Sequence, residues 1–438
     1  MVFLSVPTPL QLGSVRVNGY SSWNFFHQWQ GLTALLAVQR DVIRYLHCSR
    51  RLRNGRCPAN MTSRSSNLGS RRRERLRREF VWASRRSRGP LTCLLLLVVI
   101  ACTQCRTTPV EKLSEQHAVR EEPVRFASGK VNLAGTLVLP EGPGAHPAVV
   151  LFHGSGPQAR DLFTARWFAS QGVAALAYDK RGVGESAGDF RVIPFMELCD
   201  DGLAAIGYLK SRNEIDAKRI GAWGLSQGGW LGPLAASRST DVAFVIAVSG
   251  PGVSPSEQMI VYYANELRRQ GVPEDDVREA SAVRRDIWSY MSSGNGYEKV
   301  KAELEQARTK RWFSRAKAQQ DDSFGTLPKP EELGKPVGRN LLWFTQEMNY
   351  DPVAALRAVR VPALFLFGDR DQLIPVQESV TVLQRVLVED AHHDFTIREF
   401  ANDDHEMRVV VGEGRGDIDP DYLRTMREWL ATHVLKGR

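Results

Sequence analysis

Residues 219–233 read RIGAWGLSQGGWLGP. Ser226 sits there between two glycines, after a short apolar run and before a segment that suits a helix. Glycine weakens strands and helices alike, because it adds no side-chain packing and loses the most backbone freedom on ordering. It is tolerated where the chain must turn sharply or where another backbone comes close. Gly224-Leu225-Ser226-Gln227-Gly228 is a G-x-S-x-G pattern. In this setting it predicts a strand, a strained turn with Ser226 at its apex, and a helix. The N-terminus of that helix favours negative charge beside the serine.

The surrounding pattern supplies a sheet for such a turn. AVVLFH (148–153) and VAALAY (173–178) are short aliphatic runs without alternation. Strands of that kind are buried on both faces, as in a parallel sheet. RIGAWG (219–224), AFVIAVSG (243–250), PALFLFG (362–368) and DFTIREF (394–400) continue the series, and PVRFAS and VNLAGTLVLP read as paired strands about Gly129-Lys130. Helix-like segments fall between them at 160–170, 194–211, 227–237, 353–359, 376–388 and 419–435. The expected fold class is α/β, a mostly parallel sheet flanked by helices. About a hundred residues separate Gly250 from Pro352, too many for one crossover, and they are rich in charge and helix formers. Because the sheet pattern resumes directly afterwards, 252–351 is expected to form an inserted helical cap on a core made of 123–251 and 352–438.

A serine hydroxyl is a poor nucleophile without a base. In this architecture the base is a histidine held by an acid, in the chain order Ser, Asp, His. Asp369-Arg370-Asp371 follows the strand PALFLFG, and Asp403-Asp404-His405 follows DFTIREF. Both groups fall beyond strand C-termini, where open α/β sheets place their sites. Asp371 and His405 are the expected partners of Ser226, with Asp369 the competitor for the acid. His392 and His393 precede the last strand and are expected at the opposite end of the sheet. An oxyanion hole needs backbone N–H groups. His153-Gly154-Ser155-Gly156-Pro157 follows the first buried strand, so one donor is expected from Gly154, Ser155 or Gly156 and the other from Gln227.

From Pro123 onward LFHGSGP, AYDKRGVGESAG, GLSQGG, LFGDRDQLIP and NDDHEM occur in an order that resembles the α/β-hydrolases. The likeness is greatest to bacterial esterases related to dienelactone hydrolases and serine aminopeptidases. It implies Ser226, Asp371 and His405 as a catalytic triad. It also implies that Asp179-Lys180-Arg181-Gly182-Val183-Gly184 is a structural loop on the oxyanion side; no Gly-Lys-Ser/Thr of a phosphate loop follows. Dienelactone hydrolases proper carry cysteine at the elbow, and dehalogenases and epoxide hydrolases carry aspartate, so serine points away from all three.

The net charge of +9 would suggest an anionic partner, but it is not spread over the chain. Residues 1–90 hold 17 arginines, no lysine and three acids, a balance of +14, which leaves −5 for the rest. A nucleic-acid role for the body therefore has no support. The stretch 1–90 reads as a basic tail without a packed core, or as a segment the cell does not make, a true start lying further on. Within 91–122, Leu91 to Ala101 is an apolar run too short for a membrane-spanning helix of about 20 residues. With Arg85, Arg86 and Arg88 before it, it has the proportions of a signal-peptide core. Val99-Ile100-Ala101-Cys102 resembles a lipobox, with Ile100 where a small residue is usual. The expectation is an exported protein, lipid-anchored at Cys102, with a polar tether up to 122. Five of the six cysteines precede residue 106, without zinc-site spacing, and only Cys199 lies in the body.

These residues together predict hydrolysis of a small carboxylic ester or thioester through an acyl-enzyme, without metal or organic cofactor. A peptidase or amidase acting on a short peptide is the rival, and a silent binding module on the same scaffold is another. The cap aromatics Trp288, Trp312, Phe313, Trp343, Phe344 and Tyr350 are candidates for an acyl pocket, packing inside the cap being the alternative for each.

Overall fold

The aliphatic runs assemble into one sheet of eight strands. In chain order these are β1 (Val119–Ser128), β2 (Val131–Pro140), β3 (His146–Phe152), β4 (Ala174–Tyr178), β5 (Ile215–Leu225), β6 (Val245–Val248), β7 (Ala363–Gly368) and β8 (Phe395–Phe400). Their spatial order is β1-β2-β4-β3-β5-β6-β7-β8. β1 and β2 form a hairpin over the two-residue turn Gly129-Lys130, and β2 pairs antiparallel with β4. Every remaining pair is parallel. The computed structural model describes residues 117–190, 194–319, 324–333, 347–389, 394–412 and 414–436. The chain divides into two units, Met1–Thr108 and Pro109–Arg438, and all described residues belong to the second. Cys102 and the export segment lie outside them, as do Trp343, Phe344, His392 and His393.

All residues of β3, β4, β6 and β7 are buried, as strands covered on both faces require. Helices α2 (Phe195–Lys210), α3 (Gln227–Arg238), α8 (Pro352–Ala358) and α9 (Val376–Glu389) cover one face. Helices α1 (Leu162–Ser170) and α10 (Pro420–His433) cover the other. Between β6 and α8 the described residues form four α-helices, α4 (Pro255–Arg269), α5 (Glu274–Ser293), α6 (Tyr297–Ala307) and α7 (Phe313–Lys317). Ser254 accepts from the Glu257 amide and Pro255 occupies the first turn, so α4 starts on a capped N-terminus. Residues three or four apart, such as Ile260, Tyr263, Ala264 and Leu267, turn one stripe of α4 into a core that the four helices share.

The sequence pattern passed over a short hairpin, β9 (Arg408–Val411) with β10 (Gly414–Ile418). Its signal was present in RVVVGEGRG, a β-branched run broken by glycines, but four-residue strands are short for recognition by alternation. This hairpin matters to the site described below.

Buried charge fastens α2 to the end of β4. Arg181, just past β4, makes a two-pronged bond to Asp201 on α2, Nε to Oδ2 at 2.9 Å and Nη2 to Oδ1 at 2.5 Å. Both side chains are buried. Removing one member leaves the other charge without compensation. Arg181→Met is expected to destabilise the fold by about 3–5 kcal/mol. Arg181→Met combined with Asp201→Leu should recover much of that loss in a denaturant-unfolding double-mutant cycle.

Candidate active site

β5 ends at Leu225 and α3 begins at Gln227, so Ser226 alone makes the turn, with φ 58° and ψ −116°. A non-glycine residue there costs on the order of 1–3 kcal/mol and persists only where its surroundings over-determine it. They do so here. The Ser226 amide donates to Val248 O at 2.9 Å, and Ser226 O accepts from the Gly229 amide at 2.7 Å. A Cβ on Gly228 would lie 2.5 Å from Phe152 O, and one on Gly224 would overlap the Gly228 backbone. Only glycine at 224 and 228 lets the helix rise this close to β3 and β5.

Asp371 follows β7 and His405 follows β8. His405 Nδ1 lies 2.6 Å from Asp371 Oδ2. The other carboxylate oxygen, Oδ1, accepts from the amides of Leu373 and Ile374 at 2.8 and 3.2 Å. An ionised carboxylate only accepts, so Nδ1 carries the proton and Nε2 is left with its lone pair. The Asp371 side chain is fully shielded and the His405 side chain is 11% exposed. Asp369, the competing acid, accepts from the Asn402 amide at 2.7 Å and so fastens the turn before His405.

Ser226 and His405 flank one dipeptide. Ser226 N donates to Val248 O, and the next residue, Ser249, donates its Oγ to His405 O at 2.9 Å. A direct hydrogen bond from Ser226 Oγ to His405 is not among those the described residues make. Catalytic hydrogen bonds are often long without substrate and tighten in the complex.

On the other flank, His153 Nε2 lies 2.6 Å from Tyr178 O. A carbonyl can only accept, so Nε2 is protonated. Burial and the neighbouring Lys180 charge pull the imidazole down to about 3. His153 is thus a neutral, structural histidine. Of the predicted oxyanion donors, the Gly154 amide already donates to Gln158 Oε1 at 3.1 Å. That engagement leaves Ser155 and Gly156, whose amides make no hydrogen bond among the described residues. The Gln227 amide is at the first position of α3, where no intrahelical acceptor exists.

Lys180 was absent from the sequence-based site, and it joins these parts. Its Nζ donates to Gly154 O at 2.8 Å and to Gln227 Oε1 at 2.9 Å. It is buried, with its ammonium 5.3 Å from the Phe190 ring centroid. Burial lowers it to about 8, against the opposing pull of Glu347 and Asp201. Nothing in DKRGVG marks a lysine as buried; that follows only from where β4 ends. Asp179 beside it is held at about 2: burial opposes ionisation, and Arg160 with the Glu185 and Arg160 amides outweighs it. The 179–184 loop thus bridges the oxyanion side, as the resemblance implied.

Among the described cap aromatics, packing rather than an acyl pocket is what the contacts show. Trp288, Trp312 and Phe313 pack inside the cap's own core, and Trp312 Nε1 donates to Glu279 at 2.8 Å. Tyr350 stacks near Phe195, ring centroids 4.7 Å apart.

The β9–β10 hairpin stitches the His405 loop in place. Asp404 N donates to Arg408 O at 2.9 Å, Val410 N to Asn402 O at 2.7 Å, and Asp403 bridges to Val409. Asp404 is bound by Arg415 of β10.

A sheet of this strand order, with a strained serine at the end of β5 and an Asp–His pair beyond β7 and β8, has the α/β-hydrolase fold. Within that class the chain belongs to the serine aminopeptidase (S33) family, whose profile matches residues 143–408, more than half of it. It is similar to the esterase EstD of Thermotoga maritima, 25% identical over 318 residues, which cover 68% of this chain and 65% of EstD. The chain thus spans less than two thirds of that relative's length. Among solved structures it resembles an esterase from Pyrococcus furiosus, with 16% identity and a TM-score of 0.45, covering 72% of this chain and 91% of that one. An acylaminoacyl peptidase from Pyrococcus horikoshii gives 19% identity and a TM-score of 0.46, covering 75% and 43%.

Asp403 is fully buried two residues before His405, and neither of its carboxyl oxygens meets an N–H or O–H donor. Burial, and then the neighbouring Asp419 carboxylate, push it up to about 7. An acid whose native value is raised binds its proton more tightly folded than unfolded. Its contribution to stability is then present in acid and is lost as pH rises from about 4 to about 7. Asp403→Asn should abolish that fall, and urea midpoints at pH 5 and pH 8 measure it. A variant that loses stability equally at both pH values would contradict the assignment.

Proposed function

We propose that this protein hydrolyses carboxylic esters or thioesters through an acyl-enzyme on Ser226. The observation that carries the reading is the shielded Asp371–His405 pair, 2.6 Å apart, held beside the strained Ser226 turn through Val248 and Ser249. His405 Nε2 removes the Ser226 hydroxyl proton as Oγ adds to the substrate carbonyl. Asp371 keeps Nδ1 protonated and stabilises the imidazolium that forms. Negative charge developing on the carbonyl oxygen is met by the Gln227 amide and the Ser155 or Gly156 amide. The imidazolium returns its proton to the leaving group, the tetrahedral intermediate collapses, and water repeats the cycle against the acyl-enzyme. Every step uses side chains, backbone amides and water.

Similarity to EstD supports esters as substrates; the S33 description supports an amide or peptide bond as the rival. The triad serves both, because the leaving group is chosen by pockets rather than by the nucleophile. Turnover of matched acetyl ester and acetyl anilide substrates separates them, with the ester expected to be faster by far; comparable rates would favour the amidase.

Ser226→Ala is expected to abolish hydrolysis of p-nitrophenyl acetate and labelling by a fluorophosphonate probe, with an unchanged melting curve. Asp371→Asn should leave the fold intact and cost on the order of 10⁴ in kcat through the wrong tautomer. Full activity in Ser226→Ala would end the proposal.

A further inference from the structure

Trp288, Trp312 and Phe313 are taken up by the core of the inserted helices, yet an apolar cavity does stand beside the site. It has a volume of about 270 Å³ and lies on the face of the sheet covered by α1 and α10. Its walls come from Trp223, Leu225 and Val248 at the strand ends, Trp167 of α1, and Tyr422 and Met426 of α10. Three of its lining residues are covalent neighbours of the proposed machinery or its direct support. Leu225 precedes Ser226, Glu406 follows His405, and Val248 accepts the Ser226 amide. The cavity therefore borders the elbow and the His405 loop on the α1 and α10 face of the sheet.

We propose that this cavity receives an uncharged, apolar substituent of the ester, so that it, and not the cap aromatics, sets the chain-length preference. The inference rests on the serine-esterase reading and deepens it. Two features support the occupant's chemistry. The walls are aromatic and aliphatic, which rewards burial of hydrocarbon by about 25 cal/mol per Å². Two of the charges at the rim face each other and the third caps a helix. Arg408 stands 3.5 Å from Glu406, and Asp161 accepts from the Thr164 amide at the start of α1. A charged substituent would lose its hydration in a space whose walls are mostly apolar. The volume, slightly under the usual range of about 300–1,000 Å³ for small-molecule sites, suits one chain or ring rather than a whole ligand.

The substituent belongs to either the acyl or the alcohol side of the ester, and substrates can tell which. Thr164 and Leu423 line the cavity from opposite walls and are half-buried, so a larger side chain at either can fill it without displacing core. In Thr164→Trp and Leu423→Trp, kcat/KM would be measured for p-nitrophenyl octanoate against p-nitrophenyl acetate, and for octyl acetate against ethyl acetate. The long-to-short ratio should fall at least about tenfold in one series, and that series identifies the arm. Trp167→Ala, which widens the cavity, should move the same ratio the other way. Ratios unchanged in both series for both filling variants, with melting curves like the wild type, would overturn the proposal. Loss of the serine-esterase reading would show differently, as wild-type protein that resists the fluorophosphonate probe or as an active Ser226→Ala.

Discussion

Backbone crowding between 224 and 229 governs what can be built around it. Ser226 holds a left-handed φ with a side chain attached, because its amide is drawn to Val248 O and its carbonyl to Gly229 N. The glycines on either side allow α3 to start against Phe152 and His153. Two consequences follow from this one turn. The hydroxyl stands at the sheet's C-terminal edge, and the Gln227 amide opens α3 without an intrahelical acceptor. The strain and the proposed anion site thus come from the same turn.

The second organising feature is buried charge. Lys180 spans Gly154 O and Gln227 Oε1, so the two sides of the proposed oxyanion hole share one ammonium. Arg181 and Asp201 secure the neighbouring helix, and Arg160 with Asp179 holds the loop between them. Across the site the exposed Asp369, the buried Asp403 and the part-buried Asp404 each hold a part of the His405 loop through the turn, the bridge to Val409 and Arg415 respectively. The buried members of this set cost desolvation. Here they surround the three side chains whose placement the proposed chemistry needs.

Much of this was legible before any coordinates. Unalternating runs such as AVVLFH and VIAV announced strands covered on both faces, and their helices fell between them close to the expected ends. Chain order and position after β7 leave Asp371 and Asp369 both open as the acid; the resemblance points to Asp371, and it is Asp371 that lies 2.6 Å from His405. The sequence left the cap aromatics open between pocket and packing, because amphipathic helices show the same Trp and Phe spacing whether the stripe faces a ligand or a neighbouring helix. Lys180, Gln158 and the β9–β10 hairpin went unnoticed, since their roles depend on what arrives beside them from distant parts of the chain.

Local rules in the sequence were enough to determine the parallel sheet, the elbow at Ser226 and the order in which serine, aspartate and histidine appear. Burial period, glycine tolerance and strand ends are properties of a few adjacent residues, and a short window carries them. Only the tertiary structure decided which carboxylate meets His405, that the Gly154 amide is already engaged, that one lysine joins the oxyanion side to the elbow, and where an apolar cavity remains. Each of those is a distance between segments many residues apart, set by how helices and strands pack, and no local pattern encodes it.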